Sequence, residues 1–219
     1  MFSNRIDAGK KLAQALLPYK GQPAVVYALP RGGVVIGVEV AEALGIPLDL
    51  IIVRKIGHPL SPEYAIGAVT EDGDLVSNPQ ETGQLDPDWI ASAVAEQTAE
   101  AQRRRRLYLK GRDSVDVRHK AAILVDDGLA TGFTMEAAIR QLRKRHPEKI
   151  VVAVPVAAAD AASRIRDEVD ELVVTHIPES GFGAIGSYYC RFEQVSDAEV
   201  IALMESVTPA RNIDRRLPS

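Results

Sequence analysis

Residues 121–134 read Ala-Ala-Ile-Leu-Val-Asp-Asp-Gly-Leu-Ala-Thr-Gly-Phe-Thr, and the fold turns on them. Ala121 to Val125 is an apolar run of strand length, suited to a buried strand. Two adjacent carboxylates, Asp126 and Asp127, follow it. Gly128 to Gly132 is a small-residue turn, and Phe133-Thr134 open a helical pattern that runs from Met135 to Arg145. The order is strand, acidic pair, turn, helix N-terminus. Backbone N–H groups of a tight turn entering a helix make an anion site, helped by the helix dipole. Gly132 lets a ligand approach the backbone, and Thr131 and Thr134 add hydroxyl donors. Carboxylates beside a phosphate repel it unless they face donors such as vicinal hydroxyls. A sugar 5-phosphate offers both features, with the acids on its diol and the turn on its phosphate.

The chain before this stretch repeats the strand–turn–helix pattern. Ala24 to Leu29 is a short apolar strand, Pro30-Arg31-Gly32-Gly33 a turn, and Val34 to Leu44 a helix. Two glycines permit close approach, and Arg31 is a fixed cation suited to a second anion. Leu48 to Val53 reads as the next strand, ending in the cationic pair Arg54-Lys55. That end of a parallel α/β strand lies on the ligand side of the sheet. Ahead of all this, Leu12, Ala13, Leu16 and Leu17 mark one face of an amphipathic helix, Asp7 to Leu17, stopped by Pro18.

Val125 to Thr134 resembles the phosphoribosyl-pyrophosphate (PRPP) loop of type I phosphoribosyltransferases, closely over its ten residues. The resemblance places Asp126 and Asp127 on the ribose hydroxyls and wraps Ala130, Thr131, Gly132, Phe133 and Thr134 around the 5-phosphate. It puts the pyrophosphate on Pro30, Arg31, Gly32 and Gly33, with Lys55 the better candidate of the basic pair. It implies Mg²⁺ carried mainly on PRPP, with Asp126 and Asp127 as protein ligands, and transfer of the 5-phosphoribosyl group to a nitrogenous, nucleobase-like acceptor with release of pyrophosphate. Asp126, Asp127, Lys55 and Arg31 are then the catalytic candidates.

The remaining segments fit one domain over 1–219, with a core at about 24–176. Glu71-Asp72-Gly73 between Ala65–Thr70 and Asp74–Ser77 is a hairpin signal. It falls where type I enzymes carry a mobile lid, about 55–80, a segment that also holds His58 and Glu63. Asp86-Pro87-Asp88 starts a long helix reaching about Lys110. Its run Arg103 to Arg106 points all round the helix, which suits solvated charges paired with Glu96 and Glu100; the alternative is that one or two of these arginines reach the phosphates or a dimer partner. Lys149 to Val156, Ala157 to Arg166 and Glu171 to His176 continue the strand–helix–strand alternation. The expected fold is therefore α/β: a parallel sheet flanked by helices, a β-hairpin lid, an inserted long helix and a small C-terminal hood at about 177–206. In that hood Phe182, Tyr188 and Tyr189 are aromatic candidates for the acceptor site. Purine-salvage members often carry an acid in the analogous stretch, where Cys190-Arg191 stand here. Ser196-Asp197 caps a short helix, and the tail from Thr208 reads as loose.

Composition sets outer bounds. The 219 residues are 46% hydrophobic and 26% charged, with a net charge of −4, which gives no general affinity for nucleic acid. A single cysteine, Cys190, excludes a disulfide framework within one chain and fits a reducing compartment. No signal-like core opens the sequence, and no apolar run approaches the ~20 residues that span a bilayer. A cytoplasmic protein without membrane contact is expected, and a homodimer by family habit. A PRPP-sensing regulator without turnover is the alternative. A phosphohydrolase with Asp126 as nucleophile lacks further metal-binding acids, and a P-loop NTPase lacks Gly-Lys-Ser/Thr after the turn.

Overall fold

The structure, a computed structural model, describes residues 1–179 and 181–207. Ser180 and the tail from Thr208, read above as loose, lie outside the described residues.

Helix α1, Arg5–Ala15, starts at Asn4, whose side chain accepts from the Asp7 N–H. After a 3₁₀ turn, Leu17–Tyr19, come β1, Ala24–Ala28, and α2, Gly32–Leu44. Gly45, at φ 69°, ends α2 in the left-handed cap that glycine adopts freely. The apolar run 48–53 divides here. Leu48–Leu50 forms β2 beside β1, while Val53 begins β3, Val53–His58, in another sheet. Strand β1 stops at Ala28, so little backbone remains for the run to pair with beyond Leu50. Ile51 and Ile52 are buried all the same, and hydropathy alone does not show the break.

Strands β3, β4 (Ser61–Thr70) and β5 (Leu75–Ser77) make an antiparallel sheet in that order. Its second turn is the expected Glu71–Gly73, with Gly73 at φ 85°. Its first turn, at Pro59-Leu60, carries no glycine signal; there the His58 Nδ1 accepts from the Leu60 N–H. One turn of helix, α3 (Pro79–Thr82), leads to α4, Pro87–Leu109, capped by the Asp86 side chain. The first half of α4 packs Trp89, Ala93 and Val94 onto Ile56, Ile66 and Val69 of the hairpin sheet. Its second half sends Ala101, Tyr108 and Leu109 into the main core.

The parallel sheet continues through β6, Ala121–Val125; α5, Phe133–Arg143; β7, Lys149–Val156; and α6, Ala159–Arg166, and ends with β8, Glu171–His176. After it a 3₁₀ turn, Ile185–Tyr188, and α7, Asp197–Ser206, close the described chain. The five strands run parallel in the order β2-β1-β6-β7-β8. Alternate residues feed two cores. Val26, Ile123 and Val151 face α1, α2 and α7; Val25, Leu124 and Val152 face α5 and α6. Strands buried on both faces are the signature of such a sheet. The architecture expected from the sequence is the one found: a helix-flanked parallel sheet plus a small antiparallel hairpin sheet.

A buried polar network fastens the hairpin sheet to the core. Glu71, Asp49 and Gln141 are all under 8% exposed. Arg105 of α4 reaches Glu71 at 3.3 Å and donates to the Leu50 carbonyl and the Ser114 hydroxyl. Arg145 lies 3.4 Å from the same Glu71 oxygen, Oε1. Arg105 thus departs from the solvated role expected for the arginine run, whereas Arg103 and Arg104 do pair with Glu100.

Candidate active site

The register of β1 on β6 pairs Ala28 with Val125, and the Leu29 N–H donates to the Val125 carbonyl at 3.0 Å. The loops that follow the two strands therefore emerge side by side at the C-terminal edge of the sheet. That edge is where ligands of open α/β sheets bind. Between the loops lies a cavity of about 290 Å³.

The glycine pair of the first loop makes room for the acids of the second. A Cβ on Gly32 would stand 1.9 Å from Asp127 Oδ2, and one on Gly33 would stand 3.0 Å from both the Asp126 Cα and the Val125 carbonyl. The Pro30–Arg31 peptide is cis. Asp126 Oδ1 accepts from the Asp127 N–H at 2.8 Å, and Asp127 Oδ2 accepts from Arg5 Nε at 2.8 Å. The Tyr189 hydroxyl donates to the Asp127 carbonyl. Asp126 Oδ2 and Asp127 Oδ1 accept no hydrogen bond from the described residues, so each acid keeps one oxygen for a ligand.

Burial pushes the Asp126 carboxyl well above its ordinary range, and the neighbouring Asp127 charge adds to this; the Asp127 N–H, Lys55 and Arg5 oppose it. Burial raises Asp127 as well, against the pull of Arg5. Two carboxylates this close and this poorly hydrated favour a partner that brings positive charge or hydroxyl donors.

The second loop is pinned along the sheet. The Leu129 N–H donates to the Val156 carbonyl, the Ala158 N–H to the Leu129 carbonyl, and Arg164 Nη2 to the Thr131 carbonyl at 2.6 Å. Gly132, at φ 88°, is the N-cap of α5, and no side chain caps that helix. Its first N–H groups point out of the helix end unpaired by the helix itself.

Cations stand opposite. Lys55 is exposed and, among the described residues, makes no ion pair. Arg54 is half-buried and donates through Nε to Gln97; burial and the nearby Arg104 lower its pKa. Arg31 lies 3.6 Å from Asp197, which accepts from the Tyr108 hydroxyl at 2.6 Å.

Of the residues read from the sequence, Pro30, Arg31, Gly32 and Lys55 line the cavity on one side. Asp126, Asp127, Ala130, Thr131, Gly132 and Thr134 line the other. Gly33 and Phe133 do not: Gly33 packs under Asp126, and Phe133 leans on the α5 side of the core. The aromatic candidates sit outside as well. Tyr189 is buried between Phe2 and Phe192, with its hydroxyl committed to the loop backbone, so it presents no ring to a ligand. Phe182 and Tyr188 stack on each other, 5.3 Å between centroids. The hood residue that does reach the cavity is Ile185, packed so closely on Gly128 that a Cβ there would meet it at 2.7 Å.

Lys55 also stands differently from its expected place, in the antiparallel sheet and not at a core strand end. The residue missed altogether is Arg5. Its one sequence signal is a cation at the first turn of a helix, the end the dipole disfavours for positive charge.

Among the described residues no group of three or more His, Cys, Asp and Glu side chains could hold a metal ion. The two free carboxylate oxygens are hard ligands and too few to hold Mg²⁺ alone, which fits a cation that arrives with its own phosphate oxygens. Among the described residues no helix is long and apolar enough to cross a membrane.

The chain is 41% identical over 207 residues to a Mycobacterium tuberculosis (strain H37Rv) protein, Rv0571c, provisionally named a phosphoribosyl transferase. The match covers 94% of this chain and 46% of that relative, so the chain spans about half the relative's length. The crystal structure of TT1426 from Thermus thermophilus superposes with a TM-score of 0.78 at 40% identity, covering 94% of this chain and 98% of that one. The model of the phosphoribosyl transferase domain matches residues 3–190, and the protein belongs to that family.

Proposed function

We propose that the protein binds PRPP with Mg²⁺ and transfers its 5-phosphoribosyl group to a nitrogenous, nucleobase-like acceptor, releasing pyrophosphate. One observation carries the reading: two acids, each with one uncommitted oxygen, lie between an uncapped helix N-terminus and a glycine loop flanked by cations. A diol flanked by a phosphate on one side and a pyrophosphate on the other matches that order of charges.

In this reading the N–H groups of Ala130 to Thr134 and the Thr131 and Thr134 hydroxyls hold the 5-phosphate. Asp126 Oδ2 and Asp127 Oδ1 accept from the ribose hydroxyls and stabilise positive charge growing on the ribosyl ring. Arg31, Lys55 and the backbone of Gly32 receive the departing pyrophosphate, and Arg54 adds to the positive field. Mg²⁺, held by ligand oxygens and the free carboxylate oxygens, supplies neutralisation of the leaving group when bound. The hairpin sheet at 55–80 covers the site and limits water. Residues 177–179 and 181–206 form the hood, with Ile185 as the acceptor's apolar neighbour.

Isothermal titration calorimetry with PRPP and Mg²⁺ tests the binding step; absence of binding to native protein refutes the reading. Release of pyrophosphate across a panel of bases and amines then separates a transferase from a PRPP sensor without turnover. Asp126→Asn combined with Asp127→Asn abolishes PRPP binding while the protein stays folded; unchanged affinity refutes the diol assignment.

A further inference from the structure

We propose that Arg5 is a positioning residue for the ribose-side acid, a role that rests on the PRPP reading above. Arg5 Nε donates to Asp127 Oδ2 at 2.8 Å, the oxygen that occupies the space left by the missing side chain of Gly32. The guanidinium stacks 3.7 Å from the centroid of the Phe192 ring, and its Nη1 donates to the Glu193 carbonyl at 2.7 Å. Three contacts in different directions fix a planar group in one orientation. Both charged side chains are nearly buried, at 11% and 13% exposure.

The device is assembled from the first residues of the chain and the segment 188–193. The Phe2 N–H donates to the Tyr188 carbonyl, the Cys190 N–H to the Phe2 carbonyl and the Arg191 N–H to the Ser3 carbonyl. Tyr189, between them, braces the Asp127 backbone. Arg5 stands in the first turn of α1, the wrong end of a helix for a cation. A residue placed against its local preference and held by distant partners marks a functional constraint.

With Oδ2 locked, only Oδ1 of Asp127 is left to face a ligand, and its direction is set. Arg5 does not line the cavity, so it reaches that space only through the acid. It acts on the acid, which reads the ribose, and leaves the pyrophosphate cations alone.

The test is calorimetric titration of Arg5→Gln and Arg5→Lys with three ligands: PRPP with Mg²⁺, ribose 5-phosphate, and inorganic pyrophosphate with Mg²⁺. Arg5→Gln is expected to weaken both ribose-bearing ligands roughly 10- to 100-fold and to leave pyrophosphate within about twofold. Arg5→Lys, which keeps the charge but not the fork, is expected to recover part of the loss. In an Asp127→Asn background Arg5→Gln is expected to add little, because the two act as a unit. Equal weakening of all three ligands, or additive losses in the double variant, overturns the proposal in favour of a purely structural pair. Should Arg5→Gln fail to fold by circular dichroism, the same comparison is read from Arg5→Lys with and without Asp127→Asn. Native protein that binds neither PRPP nor ribose 5-phosphate refutes the functional reading itself, and this proposal falls with it.

Discussion

Gly32→Ala is the sharpest single perturbation of the site. Gly32 lies at the start of α2 without a positive φ, so alanine suits its backbone and only contact decides the outcome. The added Cβ would sit 1.9 Å from Asp127 Oδ2, 2.8 Å from its carboxyl carbon and 2.8 Å from Arg5 Nε. No small relaxation clears 1.9 Å, so the carboxylate must leave. Overpacking a close-packed region costs about 1–3 kcal/mol. Separating a buried ion pair costs about 3–5 kcal/mol when one partner is deleted outright. Here both partners remain and gain some water, which places the loss at about 3 kcal/mol. With an m-value of about 2 kcal/mol per molar, the urea midpoint falls by about 1.5 M. The displaced acid also loses its charge-assisted contact with the ribose, about 2 kcal/mol, or roughly 30-fold in PRPP affinity. Urea unfolding followed by circular dichroism reads the first effect and calorimetry the second. Gly45→Ala is the control: its Cβ meets nothing within 4 Å, but φ 69° costs it about 1 kcal/mol. That variant loses stability alone and keeps its affinity. A Gly32→Ala protein that unfolds within about 0.3 M of the native midpoint and binds PRPP normally would refute the packing of the glycine loop on the acid.

Asp126→Asn tests the electrostatics. Its folded-state pKa is raised, so the folded protein holds that proton more tightly than the unfolded chain, and stability falls as pH rises from the ordinary carboxylate range to the folded pKa. Asparagine removes the slope and is expected to be about 1 kcal/mol more stable than the native protein at about pH 8, the gap closing toward about pH 4 while PRPP binding is lost. A pH-independent gap in urea midpoints counts against the assignment. Gly132→Ala places a Cβ at φ 88°, 3.2 Å from Glu136 Oε1; a loss of about 1–2 kcal/mol and weaker binding of ribose 5-phosphate are expected, and unchanged calorimetry speaks against the loop as the phosphate site. Arg105→Ala strips one of the two arginines that face Glu71, and an unfolding loss of about 3 kcal/mol is expected by urea denaturation; a loss under about 1 kcal/mol shows the network does not anchor the hairpin sheet.

The sequence was most legible where local chemistry and long-range structure agree. Val125 to Thr134 announced strand, acids, turn and helix because each depends on residues adjacent in the chain, and the structure starts α5 at Phe133 as read. The glycine pair at 32–33 announced a close approach without saying to what; only the pairing of β1 with β6 shows the neighbours to be Asp126 and Asp127. The run 48–53 looks like one strand and is not, because hydropathy reports burial and not the sheet in which a residue is buried. The aromatics Phe182, Tyr188 and Tyr189 suit either stacking on an acceptor or the packing of a cap, and the fold stacks the first two together and buries the third as a strut, leaving Ile185 at the cavity.

What the sequence by itself determined was the class of fold and the two strand–turn–helix units that flank the cavity, because strand periodicity, turn residues and a helix N-terminus are local properties. What only the tertiary structure decided was how the acids are held. Arg5 is 122 residues from Asp127, and no local rule brings a guanidinium at one helix start onto a carboxylate beyond a distant strand. The parallel order of the sheet and the pairing of residues 2–3 with residues 188–191 do so, since a buried charge must find its partner wherever the packing leaves one.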